Sequence, residues 1–129
     1  MYRTISPNDS PIVNPESRKE LNKLLKLLED DNYLWDNLDK PTSWGDIWKI
    51  NKKNTCIEIE DDFYNKTGTI HYSTKADYSN PLLLLAKEYF EGWEEFKNNF
   101  DDNVRGYGVG SRDSLVNYHS YLRGIWDNY

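Results

Sequence analysis

The chain has 129 residues, enough for about one domain, and its net charge of −6 disfavours non-specific contact with nucleic acid because phosphates repel an acidic surface. Aromatic residues make up 15% of the sequence, so we expect a core built from large rings and leucines. Cys56 is the only cysteine, which excludes an intrachain disulfide and a cysteine-built zinc or iron–sulfur site. No apolar run reaches the length of a signal peptide or a membrane span, and we therefore expect a cytoplasmic protein.

Residues 1–13 are predicted to form an extended or flexible N-terminal arm, because they are rich in proline and poor in apolar side chains. Residues 14–129 are then expected to form a single globular α+β domain. Its first helix is predicted from Asn14-Pro15, a cap followed by a proline, to about Asp30. The apolar face of this helix carries Leu21, Leu24, Leu25 and Leu28.

The segment from Asp31 to Ile50 is crowded with aromatic side chains and has no regular period. Its rings include Tyr33, Trp35, Trp44 and Trp48. We expect short helices here, separated at Pro41, with Thr42 or Ser43 capping the second. Rings at this density usually close a core, and the other interpretation is a surface that stacks on a carbohydrate or a peptide.

An antiparallel β-hairpin follows. Residues 55–61 alternate, with Ile57 and Ile59 facing the core and Cys56, Glu58 and Glu60 facing outward. The second strand is predicted from Thr67 to Thr74, with Ile70 and Tyr72 facing inward, after a turn at residues 65–68. A lone hairpin is marginally stable, so it must pack on helices or gain a third strand, for which Val104–Val109 is the other candidate.

The strongest helix signal runs from Asn80, a cap, and Pro81, a first helical residue, to Phe100. Its apolar stripe consists of Leu82, Ala86, Tyr89, Trp93, Phe96 and Phe100. A last helix is predicted from about Ser111 to Asp127. The expected fold is therefore α+β, with about three main helices packed with an antiparallel β-hairpin.

Acidic side chains supply the preferred functional hypothesis. They lie on the main helix and around the hairpin: Glu88, Glu91, Glu94, Glu95, Glu58, Glu60, Asp61 and Asp62. We interpret them as a surface that blocks a basic protein partner, such as a toxin or a nucleic-acid-binding enzyme, in the manner of an inhibitor, immunity or phage anti-defence protein. The other interpretation is a solvated face that keeps the protein soluble. Direct binding of nucleic acid or membrane is not expected.

A loop rich in glycine and arginine supplies the alternative hypothesis. The residues concerned are Arg105, Gly108, Gly110, Ser111 and Arg112, and they precede the last predicted helix. Glycines let backbone N–H groups approach a phosphate, and a helix N-terminus with two arginines favours an anion. This pattern would bind or sequester a phosphorylated small molecule or nucleotide. It matches no established phosphate-binding spacing and is also typical of a plain connector.

No catalytic residue, metal ligand or cofactor is predicted. His71 would share the outer face of the hairpin with Glu58 or Glu60, and His119 is expected to pack on the last helix. Neither histidine lies in a recognisable nucleophile or metal motif. The oligomeric state is left unassigned.

Overall fold

The computed structural model describes residues 10–62, 65, 67–74, 83–103 and 115–127. Five strands form one mixed sheet in this part of the chain. They are β1 (Ile12–Asn14), β2 (Tyr33–Trp35), β3 (Thr55–Asp62), β4 (Thr67–Thr74) and β5 (Leu83–Leu85). Their order across the sheet is β2-β4-β3-β1-β5, so β2 and β5 are its edges. Strand β3 is antiparallel to both β4 and β1, whereas β2 pairs parallel with β4 and β5 pairs parallel with β1.

Four α-helices accompany the sheet within the described residues. They are α1 (Arg18–Asp30), α2 (Trp48–Asn51), α3 (Ala86–Asn103) and α4 (Leu115–Asp127), with 3₁₀ turns at Pro41–Trp44 and Lys52–Asn54. One core cluster joins residues from all four helices to the sheet side chains Val13, Ile57, Ile59 and Ile70. Because side chains alternate along a strand, the helices all lie on the sheet face that carries these residues. The molecule is thus a small single α+β domain, as predicted.

The predicted hairpin is confirmed. Strands β3 and β4 pair in register from Thr55 opposite Thr74 to Asp62 opposite Thr67, with Ile59 opposite Ile70 on the core face. The expected exposure of Cys56 is wrong, since its side chain is fully buried. Strand β3 is the middle strand of the sheet. Its residues 55–57 are all buried, so both faces of the sheet are covered there. The hairpin is extended on both sides, by β2 beside β4 and by β1 beside β3, and the candidate strand at residues 104–109 lies outside the described residues.

The last two residues of the predicted N-terminal arm are extended and form part of the sheet. Ile12 and Val13 are buried in β1, between β3 and β5. Asn14 is also buried and does not cap α1, because its Nδ2 donates to the carbonyl oxygens of Lys53 at 2.9 Å and Thr55 at 2.8 Å. Ser17 caps α1 instead, its Oγ accepting from the backbone N–H of Glu20 at 3.1 Å. A three-residue strand held by two neighbours leaves no periodic signature in the sequence.

Two other predicted boundaries are corrected in the same way. Tyr33–Trp35 forms an edge strand where a short helix was expected. Helix α3 begins at Ala86, because Leu83–Leu85 pairs with β1; Asn80 and Pro81 lie outside the described residues. The apolar stripe itself is confirmed through Tyr89, Trp93 and Phe96, which are buried.

Candidate functional site

The sheet face opposite the core, here called the outer face, carries a cluster of acidic side chains around one histidine. Glu58 and His71 are cross-strand partners on β3 and β4. His71 Nε2 lies 3.4 Å from Glu60 Oε1, and His71 Nδ1 lies 3.7 Å from Asp36 Oδ2. The side chains of Asp36 and Glu60 are more than 60% exposed, and that of His71 about a third. The predicted grouping of His71 with Glu58 and Glu60 is therefore found, with Asp36 as an additional member.

The outer face is buried on the β1 side of the sheet and exposed on the β2–β4–β3 side. Ile12 faces outward beside Glu58 in β1, yet it is buried, as is Cys56. Glu60, by contrast, is exposed, and Thr69 opposite it is partly exposed. A macromolecule that approached this face would therefore contact strands β2, β4 and β3. We call the residues Asp36, Glu58, Glu60 and His71 on these strands and the adjoining loop the outer-face cluster.

Asp61 lies on the core face and is not available to a partner. Its side chain and that of His119 are both fully buried, and His119 Nδ1 lies 2.8 Å from Asp61 Oδ1. The Tyr33 hydroxyl donates to the same oxygen at 2.5 Å. Asp61 is thus removed from the predicted set of partner-binding residues, because alternation along β3 directs it inward while Glu60 and Asp62 face outward.

The buried network continues from His119 to α3. Its Nε2 lies 2.6 Å from the Tyr89 hydroxyl. Since Nδ1 faces a carboxylate, we assign the imidazole proton to Nδ1, and Nε2 then accepts from Tyr89. A carboxylate, an imidazole and a hydroxyl in this order are the parts of a general-base relay. Tyr89, like Asp61 and His119, has a fully buried side chain, so the whole network lies inside the core.

Burial controls the ionisation of the tyrosines in and around this network. The pKa of Tyr33 is raised above its ordinary value, first by burial and then by the nearby charge of Asp61. The pKa of Tyr89 is likewise raised, first by burial and then by Tyr118 and Asp61. Burial is also the main cause of the raised pKa of Tyr118, whose hydroxyl donates to the backbone oxygen of Tyr89 at 2.8 Å. All three side chains therefore stay neutral far into the alkaline range.

The four predicted partner-binding residues of α3 lie in the helical layer, away from the outer face. Glu88, Glu91, Glu94 and Glu95 are all exposed. Glu88 Oε1 accepts from the backbone N–H of Leu85 at 3.2 Å, which caps the start of α3, and Glu94 lies 3.2 Å from Lys97 Nζ. Helix α3 faces α1 through Lys23 Nζ, which lies 4.3 Å from the centre of the Phe90 ring. Two of the four carboxylates thus already serve the helix itself.

The remaining predicted residues fall in two groups. Asp62 faces outward but holds the hairpin turn, since its carboxylate accepts from the backbone N–H of Asn65 at 3.3 Å and from its side-chain amide at 2.7 Å. Residues 104–114, with the whole alternative site, lie outside the described residues. At the described start of α4, Asp31 Oδ2 accepts from the N–H of Leu115 at 2.8 Å. A carboxylate of the chain itself therefore occupies a position where a helix N-terminus would attract an anion.

The aromatic residues mostly serve the core. Trp35, Trp48 and Trp93 are buried, and Trp44 is the exposed one among the tryptophans whose side chains are described. A surface cleft of about 500 Å³ lies between α1 and residues 42–46. It is lined by Arg18, Asn22, Leu25, Thr42, Gly45 and Asp46, and Arg18 pairs with Asp46 at 2.9 Å.

Among the residues that the structure describes, no three His, Cys, Asp or Glu side chains are grouped so that they could hold a metal ion. No described helix combines the length and apolar character that crossing a bilayer requires. Comparison of the chain with protein-family models, with curated proteins and with solved structures finds no match.

Proposed function

We propose that this protein binds a basic protein partner through the outer-face cluster and acts by occupying the partner's cationic surface, as an inhibitor, immunity or anti-defence protein does. The observation that carries the proposal is the placement of Asp36, Glu58 and Glu60 around His71 on the sheet face that the described helices leave uncovered. Carboxylates held close together repel one another, and a cationic partner relieves that repulsion. The net charge of −6 adds long-range attraction to such a partner.

The proposal selects one of the two predicted acidic regions. Helix α3 packs on the core face of the sheet, so its carboxylates and the outer-face cluster belong to different layers of the molecule. The outer face is preferred because its carboxylates are grouped around one histidine on a sheet face that the described helices leave uncovered. The phospho-ligand alternative gains no support from the start of α4, where Asp31 already supplies an anion.

Site-specific photo-crosslinking in the native host tests the proposal. A photoreactive residue at Glu60 should trap a basic protein, while the same residue at Glu91, exposed on α3, should not. The trapped protein is then purified and its affinity for two charge-reversed variants is measured. Glu58→Lys/Glu60→Lys should weaken binding at least about tenfold at low salt, with a smaller effect at high salt.

The matched control carries the same change of charge on the other layer. Glu91→Lys/Glu95→Lys should weaken binding much less, because it alters only the long-range attraction. Equal losses in the two variants, or a greater loss in the α3 variant, would place the partner elsewhere and overturn the proposal. So would a trapped protein with an acidic isoelectric point.

A further inference from the structure

The loop after β2 exposes an apolar side chain in an unfavourable backbone conformation. Leu38 is 76% exposed, and its φ of 74° lies in the left-handed region. A bulky residue is destabilised in that conformation, which glycine or asparagine adopts far more readily. The side chain recovers little of this cost by burial. Leucine at position 38 therefore makes the folded chain less stable than a smaller polar residue would.

The loop is nonetheless rigidly constructed. The Trp35 N–H donates to the Asp39 oxygen at 2.9 Å, and the Leu38 N–H donates to the Trp35 oxygen at 2.8 Å. The Asn37 side chain bonds the backbone N–H of Asp39 at 3.1 Å and its carboxylate at 2.9 Å. Leu38 is thus held at the tip of a closed turn and loses little further backbone freedom when it is bound.

Trp44 also stabilises this turn through contacts with Trp35 and Asp39. Its ring stacks on the buried ring of Trp35 at 3.9 Å with an interplanar angle of 6°, and its Nε1 donates to Asp39 Oδ2 at 3.0 Å. Trp44 is 37% exposed, so an aromatic surface accompanies the Leu38 tip. Tryptophan is among the residues that most often dominate binding energy at protein interfaces, so the exposed part of Trp44 makes this turn a suitable contact surface.

The charges beside Leu38 indicate the kind of partner. Asp36 and Asp39 flank it, and Asp36 is also a member of the outer-face cluster through His71. Lys40 follows, so the turn carries a net negative charge. Ile50, which is 64% exposed, offers a natural contrast because Lys49, Lys52 and Lys53 surround it in sequence. The two exposed apolar side chains thus have neighbourhoods of opposite sign.

We propose that Leu38 is the apolar anchor of the partner interface: it enters an apolar pocket on the basic partner, while Asp36 and Asp39 meet cations at the rim of that pocket. This inference rests on the proposed function and adds the residue that makes binding specific. Charge on the outer face attracts any basic protein, whereas an apolar tip of fixed geometry selects one that has a matching pocket.

The first measurement concerns stability and needs no partner. Because asparagine tolerates the left-handed conformation and exposes less apolar surface, Leu38→Asn should raise the melting temperature by about 2–5 °C. A lower melting temperature would show that Leu38 packs within the fold and would overturn the inference. Ile50→Ala is the matched variant, and it should change the melting temperature little.

The second measurement uses the protein trapped from position 60 and, independently, a photoreactive residue placed at Leu38 or at Ile50. The Leu38 probe should trap the same basic protein, and the Ile50 probe should not. With the purified partner, Leu38→Asn should weaken binding at least about tenfold, chiefly through faster dissociation, and Ile50→Ala less than about twofold.

The outcomes separate the two proposals. If Glu58→Lys/Glu60→Lys weakens binding but Leu38→Asn does not, the anchor is overturned and the acidic interface stands. If the Leu38 probe traps a basic protein and the Glu60 probe traps none, the outer-face proposal is overturned, and the anchor, which rests on it, is overturned with it. If neither probe traps a basic protein, both are overturned.

Discussion

Gly68 is the residue that allows Tyr33 to join the buried network. Tyr33, Gly68 and Asp61 occupy one row across strands β2, β4 and β3. A Cβ atom at Gly68 would lie 2.6 Å from a carbon of the Tyr33 ring and 2.3 Å from the Glu60 backbone oxygen. The absence of that atom lets the tyrosine ring lie across β4 and place its hydroxyl on the Asp61 carboxylate. One glycine thus connects an edge strand to the centre of the sheet.

Removal of the Tyr33 hydroxyl should be costly for its size. In Tyr33→Phe the buried Asp61 carboxylate loses a donor at 2.5 Å, and we expect the free energy of unfolding to fall by about 1.5–3 kcal/mol. Tyr72→Phe is the matched control, because its hydroxyl donates at 3.3 Å to the backbone oxygen of Ile47 and the residue is only half-buried. Urea denaturation of both variants measures the difference. Equal costs would mean that the hydroxyl of Tyr33 adds nothing beyond an ordinary peripheral hydrogen bond.

Helices α3 and α4 approach each other closely at Gly92. A Cβ atom there would lie 2.4 Å from the Tyr118 hydroxyl oxygen, whereas the next ring atom would be 3.4 Å away. Tyr118 packs its ring against those of Tyr89 and Trp93, with ring centres 5.3 and 5.4 Å apart. Glycine at position 92 lowers the helix propensity of α3, but its missing side chain leaves room for the Tyr118 hydroxyl to reach the backbone oxygen of Tyr89.

The contact between Gly92 and Tyr118 predicts that the effect of Gly92→Ala on stability changes sign when the Tyr118 hydroxyl is removed. Replacing a helical glycine by alanine normally stabilises a helix by about 1 kcal/mol, but Gly92→Ala should destabilise the protein because Tyr118 must move. In the background of Tyr118→Phe, which removes the obstructing oxygen, the same replacement should stabilise the protein. Unfolding of the four members of this cycle by urea measures both effects. Stabilisation by Gly92→Ala in the original background would show that the two helices adjust without cost.

Helices and strands that carry a periodic pattern of apolar residues were predicted well. Short strands that are held by pairing with distant segments were not. The stripe through Tyr89 and Trp93 and the alternation around Ile57 were sufficient to place α3 and the hairpin. Strands β1, β2 and β5 are three residues each, and their stability comes from neighbours distant in sequence. For the same reason the sequence placed His71 beside Glu58 but gave no indication that Asp36 joins them or that Asp61 meets His119. Cross-strand register brings these residues together, and a single sequence does not reveal register between distant segments.

The molecule as a whole combines a net charge of −6 with a core that contains three tyrosine hydroxyls. Tyr33, Tyr89 and Tyr118 lie between the sheet and the two long C-terminal helices, and burial raises the pKa of each. Unfolding exposes them to water, where a tyrosine ionises with a pKa of about 10. The folded state retains these three protons at a pH where the unfolded state releases them. Stability should therefore be unaffected by these groups below about pH 10 and should fall as the pH rises above it.

The free energy of unfolding is expected to fall steeply with pH above about pH 10. Each such tyrosine contributes about 1.4 kcal/mol per pH unit above its unfolded pKa, so three together contribute about 4 kcal/mol per pH unit. A domain of ordinary stability, about 5–15 kcal/mol, should then unfold cooperatively within a few pH units above 10. Tyrosinate absorbance at 295 nm and far-ultraviolet circular dichroism should change together for these buried rings, and Tyr33→Phe should reduce the number of protons released on unfolding from about three to about two. A slope of about one proton, or ionisation of all the tyrosines before the fold is lost, would contradict the assignment of these hydroxyls to a closed core.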